Sequence, residues 1–184
     1  MSFDPTDPRL GHEPSGVRGL TEHYLKDAIY GANDGIITTF AVVAGVAGAQ
    51  LDPRIVLVLG FANLFADGFS MGASNFLSIR SDEAVRRAKG LVTLEPFPLR
   101  HSWVTFSAFV VAGVVPLISY VAAAGDRFTV AILLTLATLF AVGASRSFVT
   151  EVRWWLGGFE MLSVGSIAAA VAYGVGAFVN QLTV

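Results

Sequence analysis

The sequence has no cysteine among its 184 residues, and only 14% of its residues are charged. The lack of cysteine excludes disulfide bonds, thiolate metal sites and cysteine nucleophiles. Soluble domains carry about a quarter charged residues, so the shortage of charge argues against a soluble protein. The net charge of −2, with no basic stripe along the chain, gives no reason to expect a nucleic-acid partner.

Long apolar runs are what the sequence has instead. Apolar residues make up 54% of the chain, and its mean hydropathy is +0.64. A membrane span takes about 20 helical residues, and five runs are long enough: approximately 28–49, 54–79, 102–124, 128–145 and 155–179. They lack the alternation of barrel strands. The sequence therefore predicts an all-α integral membrane protein surrounded by lipid. Its five-helix transmembrane domain (21–184) follows a proline-containing N-terminal segment (1–20) that is expected to be disordered and cytoplasmic.

The basic residues are divided unevenly between the two sides of these spans. Only Arg54 and Arg127 lie on one side, and the other ten of the 12 Lys and Arg residues lie on the opposite side. Because positive residues concentrate on the cytoplasmic side, we expect a cytoplasmic N-terminus and, after five spans, an outside C-terminus. Ten arginines against two lysines, with much alanine, glycine and valine, favour a GC-rich bacterium and hence a bacterial inner membrane.

The second span carries polar residues within the run "LFADGFSMGASNFLS" (64–78). At 100° per residue, Asp67, Met71, Ser74 and Asn75 fall within one arc, and most of the phenylalanines lie opposite. A charge near the bilayer midplane costs roughly 2.5–3.5 kcal/mol, so such residues usually face an ion or proton path. A structural pair, for example between Asp67 and Arg146, is the alternative.

Two further features of these spans predict how their helices pack. Gly68 and Gly72 form a small-xxx-small pair, which predicts that another helix approaches closely there. On the first span, Asp27, Asp34 and Thr38 align on one face, because seven residues make nearly two helical turns. With the cytoplasmic ends matched, an antiparallel pair would place Asp34 level with Ser74 and Asn75.

Carboxylate, amide and hydroxyl oxygens on facing helices suit hard or borderline divalent cations. The Met71 thioether adds a soft ligand that favours ferrous iron over magnesium or calcium. The two mid-span carboxylates, Asp34 and Asp67, are equally suited to exchanging protons for the ion. Glu160, at the start of the fifth span, is a further candidate ligand or else a solvated charge at a helix end. His12 and His23 precede the first span as isolated histidines and are weak candidates.

The chain resembles the vacuolar iron transporter family over about residues 20–180. The resemblance rests on "DAIYGANDGIITTFAVVAGVAGA" in the first span and "FADGFSMGASNFLS" in the second, supported by "VVPLISY", "LFAVGASRS" and "GFEMLSVGSIAAAVAYGVGAF". It implies five-helix protomers that form a homodimer, and export of ferrous iron and often manganese in exchange for protons. The metal is then a substrate, and no cofactor is expected. The family's first-span aspartates map to Asp27 and Asp34, and its second-span methionine maps to Met71.

Two features depart from the family pattern. A glutamate usually follows the second-span methionine by four residues. Here that position is Asn75, and the carboxylate stands at Asp67, one turn before Met71. The plant members carry a glutamate-rich metal-collecting domain between the second and third spans. Here a short connector with three acidic and five basic residues takes its place, so we expect no capture of several ions there.

Two other classes of function are compatible with part of the pattern. A non-transporting membrane scaffold predicts that Asp67→Asn has no phenotype. An intramembrane aspartyl protease is suggested by Asp34-Gly35 and Asp67-Gly68, but its two carboxylates must be close enough to share a proton. The expected pairing separates Asp34 and Asp67 by about seven residues, near 10 Å of helical rise, which argues against a protease.

Overall fold

The regular elements are all helices in the part of the chain that the computed structural model describes, which is residue 14 and residues 16–122, 125–148 and 152–183. The helices are α1 (Gly16–Gly48), α2 (Pro53–Ala88), α3 (Pro98–Gly113), α4 (Ile118–Val121), α5 (Arg127–Ser145) and α6 (Trp154–Thr183). Short 3₁₀ turns at Val115–Leu117 and Arg146–Phe148 follow α3 and α5. Pro116, which has no N–H to donate, lies in the first of these turns.

The prediction of five membrane-spanning helices is confirmed. Five helical stretches are long and apolar enough to cross a membrane, and the third of them joins α3, the 3₁₀ turn and α4: Gly16–Gly48, Pro53–Ala88, Pro98–Val121, Arg127–Phe148 and Trp154–Thr183.

The helix ends differ from the predicted ends of the spans. α1 begins at Gly16, so residues 16–20, which were expected to be disordered, are helical. α2 continues past the end of its apolar run at 79 as far as Ala88. The apolar runs mark only the length in lipid, whereas polar residues with good helix propensity continue a helix into water. Residues 1–13, including His12, lie outside the described residues.

α1 is the central helix, packing against α2, α3, α5 and α6. Its contact with α3 is unusually close: a β-carbon at Gly31 or Gly35 would collide with the α3 backbone at Thr105 or Phe109. The helix expected beside Gly68 and Gly72 is also α3, since the Ser102 hydroxyl donates to the Gly72 carbonyl at 2.7 Å. α3 therefore packs against both α1 and α2 and fixes their positions.

The apolar core lies between α1 and its neighbours, towards the end that carries the short connectors. Its main cluster joins Phe40, Val43 and Val46 of α1 to residues of α2, the 3₁₀ turn, α4 and α5: Val56, Leu117, Tyr120 and Ala131. The connectors at this end are closed by helix caps. Asp52 Oδ1 accepts from the Arg54 backbone N–H at 2.7 Å, and Asp126 caps α5. The hydrogen bond from the Thr129 hydroxyl, followed by that from its backbone N–H, holds the pKa of Asp126 below its usual value.

Candidate functional site

The register between α1 and α2 is set by Asn75. Its Nδ2 donates to Asp27 Oδ1 and to Thr105 Oγ1, both at 2.8 Å. From the sequence, Asn75 was expected to lie level with Asp34, which is seven residues, or about 10 Å, further along α1 than Asp27. That prediction is wrong. It assumed that the apolar runs end at the same height. A buried carboxylate needs hydrogen-bond donors, and the Asp27–Asn75 contact rather than the ends of the runs fixes the pairing.

This register brings the two mid-span carboxylates to the same height. Counting at equal rise along both helices from the Asp27–Asn75 contact, Asp34 is level with Gly68, next to Asp67. Both residues are half-buried. Asp34 and Asp67 therefore lie at one depth on two neighbouring helices.

Other predicted ligands lie along the same pair of helices. Met71 is half-buried one turn from Asp67, and Ser74 is exposed one turn further. The Thr38 hydroxyl donates to the Asp34 backbone carbonyl at 2.8 Å, which leaves the lone pairs of its oxygen available as a ligand. These side chains lie within about two helical turns of Asp34 or Asp67.

Glu160 and Arg146 lie on other helices. Glu160 Oε2 accepts from Arg146 Nη1 at 2.9 Å, and the Glu160 side chain is 62% exposed. The structure places this candidate ligand at one end of the α5–α6 pair. Arg146, the candidate structural partner of Asp67, lies against Glu160.

A second polar group lies where the N-terminal parts of α1 and α3 meet the C-terminal half of α2. His101 Nδ1 donates to Asp27 Oδ2 at 2.6 Å, and His101 Nε2 lies 2.9 Å from Glu95 Oε2. His23 Nε2 lies 3.1 Å from the same Glu95 oxygen. We refer to His23, Glu95 and His101 as the histidine cluster. Asp27, predicted from the sequence as a ligand on the path, is buried beneath this cluster.

The connector between α2 and α3 is held in place by Glu83. Its Oε1 accepts from the backbone N–H groups of Leu94 and Glu95, both at 2.9 Å, and the residue is buried. Glu95 is therefore fixed with its side chain towards the two histidines. Sequence reasoning missed this cluster, because its members lie on three separate segments and His101 follows the basic end of a connector. The two prolines that follow Glu95, Pro96 and Pro98, were the only local sign of an ordered connector.

The sequence model of the VIT family matches residues 25–93 and 84–177, nearly the whole transmembrane region. The chain belongs to the VIT family. This confirms the resemblance to vacuolar iron transporters that the first- and second-span motifs indicated.

Relatives of this VIT-family chain include proteins from parasites and plants. A vacuolar iron transporter of Toxoplasma gondii is 28% identical over 247 residues, covering 97% of this chain and 82% of that protein. Vacuolar iron transporter 2 of Oryza sativa is 26% identical, covering 86% of this chain and 88% of that protein. A vacuolar iron transporter of Plasmodium berghei is 48% identical over only 59 residues, 32% of this chain and 22% of that protein.

Family membership also decides against the intramembrane protease. The register found here removes the depth argument against a carboxylate dyad, since Asp34 and Asp67 are nearly level. The relatives, however, are named as transporters, not enzymes. The carboxylate pair of this VIT-family chain is therefore a candidate ion site.

Proposed function

We propose that this protein is a divalent metal ion transporter that exports ferrous iron, manganese or both from the cytoplasm in exchange for protons. The observation that carries the proposal is the Asp27–Asn75 contact, which brings two half-buried carboxylates, Asp34 and Asp67, to the same height on α1 and α2. Two relatives that cover most of this chain are named vacuolar iron transporters.

The repulsion within this pair gives a physical reason for exchange. Two negative charges at close range in a medium of low dielectric are unfavourable. A divalent cation bound between Asp34 and Asp67 neutralises both charges, and protons do so when the cation is absent. Metal and protons thus compete for the same oxygens, so release of one accompanies uptake of the other. Met71 adds the soft ligand that favours ferrous iron over magnesium or calcium.

We further propose that the protein functions as a homodimer in a bacterial inner membrane, with its N-terminus in the cytoplasm. On the polar face of α2, Ser70, Ser74 and Ser78 are exposed in the protomer. Hydroxyl groups are poor partners for lipid chains, and small polar residues are typical of helix contacts in membranes. A second copy of this face would cover the serines and enclose the space beside Asp67. The N-terminal orientation is supported by the basic residues on that side of the spans.

Flux through liposomes tests the assignment of the path. The protein is reconstituted with a metal-sensitive dye inside and a pH gradient across the bilayer, and ferrous or manganous ions are added outside. We expect Asp34→Asn and Asp67→Asn to abolish uptake, because each removes one charge of the pair. Asp82→Asn is the matched control, since Asp82 is an exposed acid on the same helix α2, and its flux should equal that of wild type.

The same assay separates the alternatives. Equal flux in wild type, Asp34→Asn and Asp67→Asn would show that the ion takes another route. No flux in wild type, with the protein folded and inserted, would favour the membrane scaffold. A pH-sensitive dye in parallel liposomes reports whether protons move opposite to the metal.

A further inference from the structure

We propose that the histidine cluster, His23, Glu95 and His101, is a divalent metal site that receives the ion before it enters the path between α1 and α2. The ligand atoms of the three residues all lie within 4.8 Å of one another. The identity of the metal as cargo, and the cytoplasmic position of the cluster, rest on the function proposed above. The binding site itself rests on the geometry that follows.

The two spacings that involve Glu95 match those between ligands of one metal ion. Glu95 Oε2 lies 2.9 Å from His101 Nε2 and 3.1 Å from His23 Nε2. Two ligands at right angles, each about 2.1 Å from a metal ion, lie about 3.0 Å apart. An ion in the centre therefore replaces two ring protons with only small movements of the side chains.

The hydrogen bond at the second ring nitrogen of His101 is typical of a metal-binding histidine. A ligating histidine usually donates its other ring N–H to a carboxylate, which fixes the tautomer and the orientation of the ring. His101 Nδ1 donates to Asp27 Oδ2 at 2.6 Å, so Nε2 is the nitrogen directed towards Glu95. The second Asp27 oxygen accepts from Asn75, which holds the carboxylate in place. Asp27 and Asn75 are thus positioning residues for this site.

The cluster is open on one side. The His101 side chain is only 6% exposed, whereas His23 is 19% and Glu95 33% exposed. An ion can reach the two outer ligands from water, and water molecules can fill the remaining coordination positions. Glu83 keeps the carboxylate of Glu95 at this opening by binding the connector backbone.

Two imidazoles and one carboxylate select a particular class of metal. This set suits ferrous iron and other first-row transition ions, whereas magnesium and calcium prefer oxygen ligands alone. Asp27, directly beneath the cluster, is about 10 Å by helical rise from Asp34 on the same helix. The cluster can therefore discriminate between metals before the oxygen-rich path begins.

Pulsed EPR with Mn²⁺ tests the site in the full-length protein in lipid nanodiscs. Mn²⁺ bound to an imidazole shows modulation from the ligating nitrogen, and a site of carboxylate and thioether ligands does not. We expect this modulation in wild type. His23→Phe keeps a ring against Tyr24 but removes the ligand, and we expect it to weaken Mn²⁺ binding at least about tenfold. The control is Glu22→Gln, an exposed neighbour that pairs with Arg18.

A second variant separates loss of the metal site from misfolding. Glu95→Gln removes the shared carboxylate on a partly exposed connector, and we expect the same loss of affinity with an unchanged unfolding midpoint. Wild-type affinity and modulation in both variants, or Mn²⁺ bound to wild type without nitrogen modulation, would show that the cluster is only a hydrogen-bonded structural contact.

The path variant distinguishes this inference from the proposed function. Asp34→Asn should abolish flux and keep the nitrogen modulation, because Asp34 is outside the cluster. If Asp34→Asn stops flux but His23→Phe binds Mn²⁺ normally, the metal site at the cluster is wrong and the transport path is supported. If Asp34→Asn transports normally but His23→Phe loses binding, the path assignment falls and the metal site stands.

Discussion

Asn75 joins three helices through one amide group, so its truncation to alanine measures what that junction contributes to stability. The change removes a hydrogen bond to the Asp27 carboxylate and one to the Thr105 hydroxyl, each 2.8 Å long. A hydrogen bond to a charged group is worth about 1.5–3 kcal/mol and a neutral one about 0.5–1.5 kcal/mol. We therefore expect Asn75→Ala to lower the free energy of unfolding by about 2–4 kcal/mol. For a chain of this size that corresponds to a midpoint roughly 4–16 °C lower.

Thermal unfolding in detergent, followed by circular dichroism, measures this shift. Asn75→Asp keeps the shape of the side chain but sets a second carboxylate against Asp27, so it should destabilise at least as much as alanine. The control is Asp82→Ala, an exposed position on the same helix beyond its apolar run, with an expected change within about 0.5 kcal/mol. If Asn75→Ala unfolds at the same temperature as Asp82→Ala, the contact does not determine the α1–α2 register, and the pairing of Asp34 with Asp67 loses its basis.

Three further outcomes are expected. Gly35→Ala places a β-carbon against the Phe109 backbone and should lower the unfolding midpoint by the equivalent of about 1–3 kcal/mol, whereas Gly174→Ala, with open space around it, should not. Because the folded pKa of Asp126 is lowered, its cap stabilises the protein above the unfolded value near 3.9 and is lost as pH falls through the folded value. Unfolding midpoints of wild type and Asp126→Ala should thus differ at pH 7 and converge in acid. Met71→Leu should reduce ferrous flux more than manganous flux in liposomes, and an unchanged ratio would remove the thioether from the selectivity argument.

The fold could be predicted from the sequence because the membrane dictates it. A span needs a fixed length of apolar residues, so five runs gave five helices, and Gly68 and Gly72 correctly indicated a close helix neighbour. The register between α1 and α2 could not be predicted in the same way. It depends on which buried polar groups satisfy one another, and Asn75 had two aspartates of α1 as possible partners along one face.

The histidine cluster could not be predicted from the sequence for a different reason. His23 and His101 are 78 positions apart in the sequence, and Glu95, which lies between them in the cluster, belongs to a third segment. They meet only because Gly31 and Gly35 let α1 and α3 lie in backbone contact, and because Glu83 holds the connector against them. Long-range packing of this kind leaves no local pattern in the sequence.

The length of α2 has a mechanical consequence. Its 36 residues extend about 54 Å, well beyond the roughly 30 Å of hydrocarbon. Asp67, in the proposed path, and Glu83, beneath the connector, stand about 24 Å apart on this one unbroken helix. Any tilt or rotation of α2 that changes the surroundings of Asp67 is transmitted along the helix to Glu83 and through it to Glu95. The helix thus links the membrane interior rigidly to the connector, so the proposed path and the proposed metal site are mechanically coupled.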